Sequence, residues 1–351
     1  MSRFFDTPRK RVVIIALGCW LIVLGVMTSV PVPYVRLAPG PMFDVLGDSD
    51  GQQIIAVAGA KTYPTTGQLD MTTVTERGGP FGDLTLFEAF TGWLDPKVAV
   101  VPTSLLYPPD TSSDDAEQQG ADQFADSQEK ARIAALRQVG EPVETRPWVQ
   151  EVLKDSPAEG VLEHGDVVLR ANGTEVDSPK QLAKVVQDAG PDADVVLDIR
   201  RDDKDTSVEV TTVASPIDST KGYLGLSLGV QADSPVTVDF HLDDIGGPSA
   251  GLIFSLGIVD KLTADDLLDG RFVAGTGTMD DDGKVGAIGG IAQKLAAAKQ
   301  NGAELFLAPK DNCDEIPAAT PEGLTVAAVE TLDEAVRVLE GSMDPPSCPV
   351  A

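Results

Sequence analysis

A serine and a lysine 45 residues apart are the side chains in this sequence best suited to do chemistry. Ser249 stands in the run Gly246-Gly247-Pro248-Ser249-Ala250-Gly251, directly before an apolar stretch. Lys294 stands in a second apolar stretch that follows Gly289-Gly290. A serine hydroxyl attacks a carbonyl carbon when a nearby base takes its proton, and a neutral lysine amine is such a base. If the two side chains meet, the protein cleaves peptide bonds.

The apolar spacing after Ser249 predicts a helix. Leu252, Ile253, Leu256 and Val259 repeat at helical intervals, and Pro248 suits a first helical turn. Ser249 would then lie in that turn, where free N–H groups and the positive end of the helix dipole are found. Such groups can stabilise an oxyanion. The alternative interpretation is a plain turn with a serine near a helix cap.

Lys294 lies on a predicted helix over 290–301. Ile291, Leu295 and Ala298 mark its apolar side, and Lys294 is close to that side. Burial would lower the pKa of the amine and leave it neutral at working pH. The alternative is a lysine whose stem lies on the apolar surface while its amine reaches solvent.

A histidine base is the main rival to the lysine. The chain has two histidines, so a Ser-His-Asp triad would need His164 or His241. We interpret His164 as a turn residue and His241 as a strand residue, with a triad role for His241 as the alternative. Asp243 and Asp244, which follow it, are interpreted as solvated loop carboxylates.

Several separated motifs follow one another between about Gly225 and Glu340. They are Gly247-Pro248-Ser249-Ala250-Gly251, Gly275-Thr276-Gly277-Thr278, Gly283-Lys284-Val285 and Ile288-Gly289-Gly290-Ile291 with Lys294. Together they resemble the proteolytic domain of Lon, a serine–lysine endopeptidase. The resemblance implies that Ser249 is the nucleophile, Lys294 the general base and Thr276 a supporting residue that contacts the lysine, and it implies a homo-oligomeric ring. Lon enzymes commonly carry an acidic residue three positions before the serine, where this chain has Gly246.

The ATPase module of Lon has no counterpart in this sequence. A G-x-x-x-x-G-K-[ST] phosphate loop is absent. The segment Asp280-Asp281-Asp282-Gly283 is interpreted as an acidic turn between two strands. We therefore expect an ATP-independent serine endopeptidase that needs no cofactor and no metal, and whose substrates are flexible or unfolded exported or membrane-associated proteins.

Residues 146–214 have the pattern of a separate β-rich unit. A strand over Trp148–Val152, a strand that ends in the turn Asn172-Gly173, a helix after Ser178-Pro179 and a closing hairpin follow one another. The unit resembles a PDZ domain of the bacterial protease-associated type. Such domains bind extended peptides by strand addition, which implies a groove between Trp148–Val152 and the helix Pro179–Asp188. The alternative is a unit that only packs against the protease domain.

The uncharged run Val12–Val30 predicts a transmembrane helix, because nineteen residues span about 28 Å. Arg3, Arg9, Lys10 and Arg11 precede it, which predicts a cytoplasmic N-terminus and an extracytoplasmic remainder. A cleaved signal peptide is the alternative, although its apolar region would be shorter. A weaker alternative is a lipoprotein signal, because the run Ala16-Leu17-Gly18-Cys19 resembles a lipoprotein cleavage site.

The net charge of −28, from 55 acidic and 27 basic residues, excludes two classes of partner. A nucleic-acid-binding protein needs a basic surface. Adhesion of the soluble part to anionic lipid also needs positive charge.

Cysteine usage suggests one disulfide. Cys19 lies in the predicted span, whereas Cys313 and Cys348 lie in the exported part, where oxidation is possible. A bond between them would tie the C-terminal tail to the protease domain and contribute about 3–4 kcal/mol by chain entropy. The alternative is two free thiols.

The fold class that these observations predict is α+β, with a transmembrane helix, a PDZ-like domain and a Lon-type proteolytic domain. We interpret 108–128 as an exposed acidic connection, Ser127 as the cap of the next helix, and 67–74 as a candidate first strand of the protease fold. The predicted divisions are a basic tail (1–11), a transmembrane helix (12–30), a strand-rich segment (31–124), a linker helix (125–145), the PDZ-like domain (146–214), the proteolytic domain (222–340) and a C-terminal tail (341–351).

Two other functions remain open at this point. One is a catalytically inactive PDZ adaptor or ring scaffold. The other is a protease that acts only on itself.

Overall fold

The structure, a computed structural model, describes residues 8–349 apart from 50, 203, 243 and 244. Most of the basic tail 1–11, including Arg3, lies outside the described residues, as do Asp243 and Asp244. The helices are α1 (Pro8–Ser29), α2 (Leu86–Leu94), α3 (Ser113–Gln138), α4 (Pro179–Ala189), α5 (Gly251–Leu262), α6 (Ile291–Asn301), α7 (Ile316–Ala319) and α8 (Leu332–Leu339).

The strands are numbered in chain order. They are β1 (Pro31–Val32), β2 (Tyr34–Asp44), β3 (Asp48–Ser49), β4 (Gln52–Gln53), β5 (Ile55–Ala58), β6 (Gln68–Gly78), β7 (Leu84–Thr85), β8 (Ala99–Pro102), β9 (Glu144–Val152), β10 (Val167–Ala171), β11 (Thr174–Glu175), β12 (Asp194–Arg201), β13 (Lys204–Thr211), β14 (Val213–Ala214), β15 (Gly222–Tyr223), β16 (Leu226–Asp233), β17 (Thr237–Phe240), β18 (Phe272–Gly275), β19 (Thr278–Met279), β20 (Val285–Gly286), β21 (Leu305–Pro309) and β22 (Thr325–Val329).

The larger domain is built on a mixed sheet with the strand order β22-β21-β18-β6-β2-β8. β6 pairs in parallel with β18, with Gln68 opposite Phe272, and in antiparallel with β2. The strand-rich segment 31–124 supplies half of this sheet, and the candidate first strand over 67–74 lies in β6. The β-rich unit between β8 and β18 is an insertion in chain order.

Helix α5 is the centre of the core of the larger domain. Leu252, Ile253, Phe254, Leu256 and Ile258 are all fully buried. A helix that is apolar all round must be enclosed by other elements. The elements around α5 include α3, β5, β6 and α8. Because α5 cannot shift without opening this core, the turn before it has a fixed position.

Helix α3 is longer than the sequence predicts. Ser112 caps it, its side chain accepting from Asp115 N in a capping box. The predicted linker helix is present, but it spans Ser113–Gln138 instead of 125–145, so the predicted exposed connection over 108–128 is wrong. Ser127 is a buried residue inside the helix and not its cap. Aspartate and glutamine dominate the exposed side of α3. Its buried residues are mostly small, with one aromatic, and include large aliphatic side chains near its end: Ala116, Phe124, Ser127, Ala131, Ile133, Ala134, Ala135 and Leu136.

The smaller domain is a second sheet with the order β13-β12-β10-β9-β16, covered by α4. The predicted helix cap is present, since Ser178 accepts from Gln181 N. The predicted peptide groove beside Trp148–Val152 is wrong. β9 pairs with β16 along its whole length, with Leu226 opposite Val152, and with β10 at Trp148. The last strand of this sheet comes from residues that follow the predicted unit.

The first helix and the C-terminal segment differ in how much they pack on the larger domain. Helix α1 exposes the apolar side chains of Val12–Ser29 and is long and apolar enough to cross a membrane, a property that a signal sequence shares. At the other end the structure joins Cys313 to Cys348 by a disulfide, and Cys348 packs on the core beneath α6 and β21.

Candidate active site

Ser249 lies in the turn directly before α5. The helix begins at Gly251, so the prediction that Ser249 belongs to its first turn is wrong. The reason is that the Ser249 carbonyl is used elsewhere: it accepts hydrogen bonds from Gly277 N at 2.9 Å and from Thr276 Oγ1 at 3.0 Å. These bonds attach the serine to the chain after β18 and hold its side chain at the mouth of a cleft.

Lys294 reaches Ser249 from α6. Its Nζ lies 2.7 Å from Ser249 Oγ, and the residue is only 2 % exposed. Burial lowers the pKa of Lys294 to about 7, because a charged amine loses its hydration there. Gly290, with φ of 72°, starts α6 against Val74 and leaves no room for a side chain. The lysine is therefore placed by a close contact between α6 and the sheet.

Thr276 lies between the serine and the lysine. Its Oγ1 accepts from Lys294 Nζ at 2.8 Å and donates to the Ser249 carbonyl. Thr276 is fully buried at the end of β18. One hydroxyl thus fixes the amine relative to the serine backbone.

The turn also offers free N–H groups. Within the part of the chain that the structure describes, no acceptor is found for Ser249 N or Ala250 N. Both precede the first turn of α5, where the helix dipole is positive. Unpaired donors in this position are suited to an oxyanion.

Helix α3 holds the other side of the serine turn, a role that the sequence interpretation missed. Gly247 N donates to Gly120 O at 2.9 Å, and Ser127 Oγ donates to Pro248 O at 3.0 Å. A Cβ at Gly246 would lie 3.2 Å from Gly120 Cα. A side chain at position 246 would therefore crowd α3. The capping box at Ser112 is the sequence signal that indicates this helix.

A cleft of about 650 Å³ opens beside the pair. Ser249 and Lys294 lie in its wall, and the rest of the lining is largely apolar. Its apolar side chains include Phe43, Met71, Val74, Phe124, Ile245 and Ile288. The cleft has the size of a small-molecule or peptide site.

The histidines have other partners. The His241 ring contacts the carbonyl of Gln53 through Nδ1 at 2.8 Å, just past the strand β17. The His164 ring contacts the carbonyl of Gln150 at 2.7 Å and packs edge-on against Trp148. Both rings are engaged in structural contacts at these positions.

The resemblances to two domain families are confirmed by comparison with protein families. Residues 126–212 match the PDZ domain, and residues 242–340 match the Lon protease (S16) C-terminal proteolytic domain. The chain therefore combines a PDZ domain with a Lon-type proteolytic domain in an α+β fold. The similarity to Lon proteases supports a serine-type peptidase domain.

The individual Lon relatives match about a third of this chain, and the matched part is less than a sixth of their own length. The mitochondrial Lon protease homolog of Eremothecium gossypii is 40 % identical over 100 residues, which are 28 % of this chain and 9 % of that protein. The Lon protease of Haemophilus influenzae is 35 % identical over 116 residues, 30 % of this chain and 14 % of that protein. Among solved structures, the PDZ domain of an SdrC-like protein from Listeria monocytogenes is 19 % identical, over 23 % of this chain and 85 % of that chain, with a TM-score of 0.22.

Proposed function

We propose that this protein is an ATP-independent serine endopeptidase in which Ser249 is the nucleophile and Lys294 the general base. The observation that carries the proposal is the 2.7 Å separation between Lys294 Nζ and Ser249 Oγ at a buried position. A base must lie within hydrogen-bond reach of the proton that it removes. A pKa near 7 leaves much of the Lys294 amine neutral at neutral pH.

The proposed reaction follows from these positions. Neutral Lys294 takes the Ser249 proton as Oγ attacks the peptide carbonyl, and the N–H groups of Ser249 and Ala250 stabilise the oxyanion. The lysine then gives the proton to the leaving amine. A water molecule, deprotonated by the same amine, hydrolyses the acyl-enzyme. Thr276 keeps the amine directed at the serine.

We propose that substrates are flexible or unfolded segments of exported or membrane-associated proteins. The chain has no phosphate-loop motif with which to couple unfolding to ATP. A cleft with apolar walls accepts an extended chain only when that chain is already unfolded.

We propose that the PDZ domain binds peptides at the edge strand β16 and not at β9. Among the described residues β16 pairs with no strand other than β9, and α3 hydrogen-bonds its other edge at Ala232. We place strand addition on the part of that edge before Ala232. Gly222, before β16, lies against the carbonyls of Val186 and Gly190 at the end of α4. A peptide added to β16 would therefore lie beside this helix.

The proposed location is the outer face of the cell membrane, with α1 as an uncleaved anchor and a cytoplasmic N-terminus. The length of α1 and the basic residues before it support this topology. N-terminal sequencing of the membrane-bound protein checks it, because a mature N-terminus near residue 30 would identify a signal peptide. Assembly of the protein into a homo-oligomeric ring is a separate proposal, and the molar mass measured by light scattering tests it.

Hydrolysis of an unfolded casein without ATP tests the enzymatic proposal. Wild type is expected to cleave, whereas Ser249→Ala and Lys294→Ala lose at least about a thousandfold in kcat/KM. Lys299→Ala is the matched control, since Lys299 lies on the same helix and donates to Gly323 O at the surface. Equal rates for wild type and both site variants would favour an inactive PDZ adaptor or ring scaffold, and self-cleavage alone would indicate autoproteolysis.

A further inference from the structure

An apolar surface on α2 is not explained by the peptidase function. Phe87, Phe90, Trp93 and Leu94 are 41 %, 47 %, 54 % and 69 % exposed. They follow one another at helical spacing, so they share one side of the helix. The opposite side of α2 carries Ala89 and Gly92, which are buried.

The fold fixes this surface in place. The capping box of Thr85 and Glu88 starts α2, and Arg77 pairs with Glu88 at 3.0 Å. A Cβ at Gly92 would lie 2.6 Å from Val100 Cγ2, so the helix packs tightly on β8. Rotation of α2 cannot bury the aromatic side chains, because its small residues already fill the contact with the sheet.

The surface begins where the apolar helix α1 ends. Leu86 N, the first residue of α2, donates to Val30 O at 3.0 Å. The strand β1 that follows α1 pairs with β7 directly before α2, and α2 also contacts α1. Trp93 packs edge-on against Tyr34, with ring centroids 5.8 Å apart. Trp and Tyr are the aromatic residues that concentrate at membrane–water interfaces.

We propose that α2 lies in the interface of the membrane that α1 spans, with its aromatic side among the lipid headgroups and upper acyl chains. The inference rests on the proposed anchor. Continuity with α1 favours lipid over a second copy of the chain, because the apolar surface of the span runs directly into the apolar surface of α2. An interfacial helix buries its apolar side about 5–10 Å deep.

Insertion of apolar side chains, not charge, is the expected source of binding. The net charge of −28 opposes adhesion to anionic lipid. The docked state should therefore form on zwitterionic phosphatidylcholine, and added anionic lipid should not strengthen it. The consequence for the enzyme is that its sheet is held at a fixed distance from the bilayer.

The three tryptophans of the chain supply the test. Full-length protein is reconstituted in phosphatidylcholine vesicles in three single-tryptophan forms that keep Trp93, Trp20 or Trp148, with phenylalanine at the other two positions. Lipids brominated near the headgroup or near the bilayer centre then quench each fluorophore according to its depth. Trp20 lies near the middle of α1 and reports on the anchor. Trp148 lies in the PDZ domain and measures the quenching of a tryptophan that is outside the membrane.

The proposal predicts that headgroup-proximal bromines quench Trp93 more strongly than central bromines, and that Trp148 is not quenched. Loss of Trp93 quenching while Trp20 is quenched by central bromines would overturn the α2 proposal and leave the anchor intact. An unquenched Trp20 would contradict the anchor itself, with Trp93 still deciding whether α2 binds lipid. Trp93 emission that changes with protein concentration but not with bromination would identify a second copy as the partner, which also overturns the proposal.

A charged residue in the apolar surface provides the second measurement. Phe90→Asp should abolish Trp93 quenching, since an aspartate opposes insertion into the interface, and should leave hydrolysis of unfolded casein unchanged. Val196→Asp is the matched control, because Val196 is a similarly exposed apolar residue on the PDZ sheet. Trp93 quenching that survives Phe90→Asp would contradict insertion of this side of the helix.

Discussion

Burial gives Lys294 its chemistry at the scale of the single residue. The amine is enclosed between α6 and the serine turn, where its close partners are the hydroxyls of Ser249 and Thr276. Neither hydroxyl carries a charge that would compensate a protonated amine. The low pKa of Lys294 is therefore a consequence of desolvation.

The first prediction concerns pH. Because burial lowers the pKa of Lys294 to about 7, the fraction of neutral amine falls as the pH drops through that value. We expect kcat/KM for peptide hydrolysis to rise with pH across a limb centred near pH 7 and to level off above it. Circular dichroism at each pH shows whether a lower rate comes from protonation of Lys294 or from unfolding of the protein. A rate that stays constant well below this limb, with the fold intact, would contradict a lysine base.

The second prediction concerns Thr276. Thr276→Val removes the hydroxyl that contacts both the lysine and the serine carbonyl, at nearly constant volume. Lys294 becomes charged as it takes the serine proton, and a hydrogen bond to a charged group contributes about 1.5–3 kcal/mol. We therefore expect kcat to fall by about tenfold to a hundredfold. Thr276→Ser keeps the hydroxyl and should retain most of the activity. Similar losses in both variants would show that packing, not the hydroxyl, is what Thr276 supplies.

At the scale of elements, α3 connects the two domains. On one side Arg132 Nη2 donates to Ala232 O at 3.2 Å, and Glu129 accepts from Ala232 N, so the helix is attached to the PDZ strand β16. On the other side Gly120 and Ser127 hold the serine turn. A displacement of α3 would therefore change the position of the turn that carries Ser249.

The third prediction concerns this helix. Ser127→Ala removes the hydrogen bond to Pro248 O, and one such bond contributes about 0.5–1.5 kcal/mol. We expect kcat to fall about two- to tenfold while KM changes little, since the serine turn loses a support but the cleft keeps its lining. Ser113→Ala, at an exposed position of the same helix, is the control. A change in KM with constant kcat would assign Ser127 to substrate binding instead.

The sequence predicts the elements that are determined by residues close to one another in the chain. The helix after Ser178, the hairpin of β12 and β13 and the acidic turn at Asp280 follow from caps, alternation and turn residues. The pairing of β16 does not, because its partner strand β9 lies far along the chain. The start of α3 has a local signal in the capping box of Ser112, but the first turns of the helix bury only Ala116 and Phe124 among acidic and polar residues, so their apolar pattern is weak. The same limit applies to the site: residue types indicate Ser249 and Lys294, but Ser127 depends on packing.

At the scale of the whole molecule, the protease domain needs residues from both sides of the PDZ domain. β2, β6 and β8 complete the sheet that β18, β21 and β22 begin. Leu69 and Met71 of β6 and Phe124 of α3 belong to the same core as α5. The segment 242–340, which matches the Lon-type domain, therefore lacks strands and core residues that complete its sheet and its core.

The fourth prediction follows from this arrangement. A fragment of residues 222–345 lacks half of the sheet and the helix that covers α5, so it should show no cooperative unfolding transition and no hydrolysis. Residues 31–349, produced in parallel without α1, should fold and cleave. Thermal melts followed by circular dichroism and a casein assay make the comparison. A fragment 222–345 that folds and cleaves by itself would contradict this account of the sheet.

The most direct test of the central claim is covalent labelling of the nucleophile. Wild-type protein treated with a fluorophosphonate should gain one adduct, which intact-mass measurement and peptide mapping place on Ser249. The adduct should be absent in Ser249→Ala and should form much more slowly in Lys294→Ala, because the serine then lacks its base. Labelling at another residue, no labelling of active protein, or equal labelling rates in wild type and Lys294→Ala would contradict a serine nucleophile activated by Lys294.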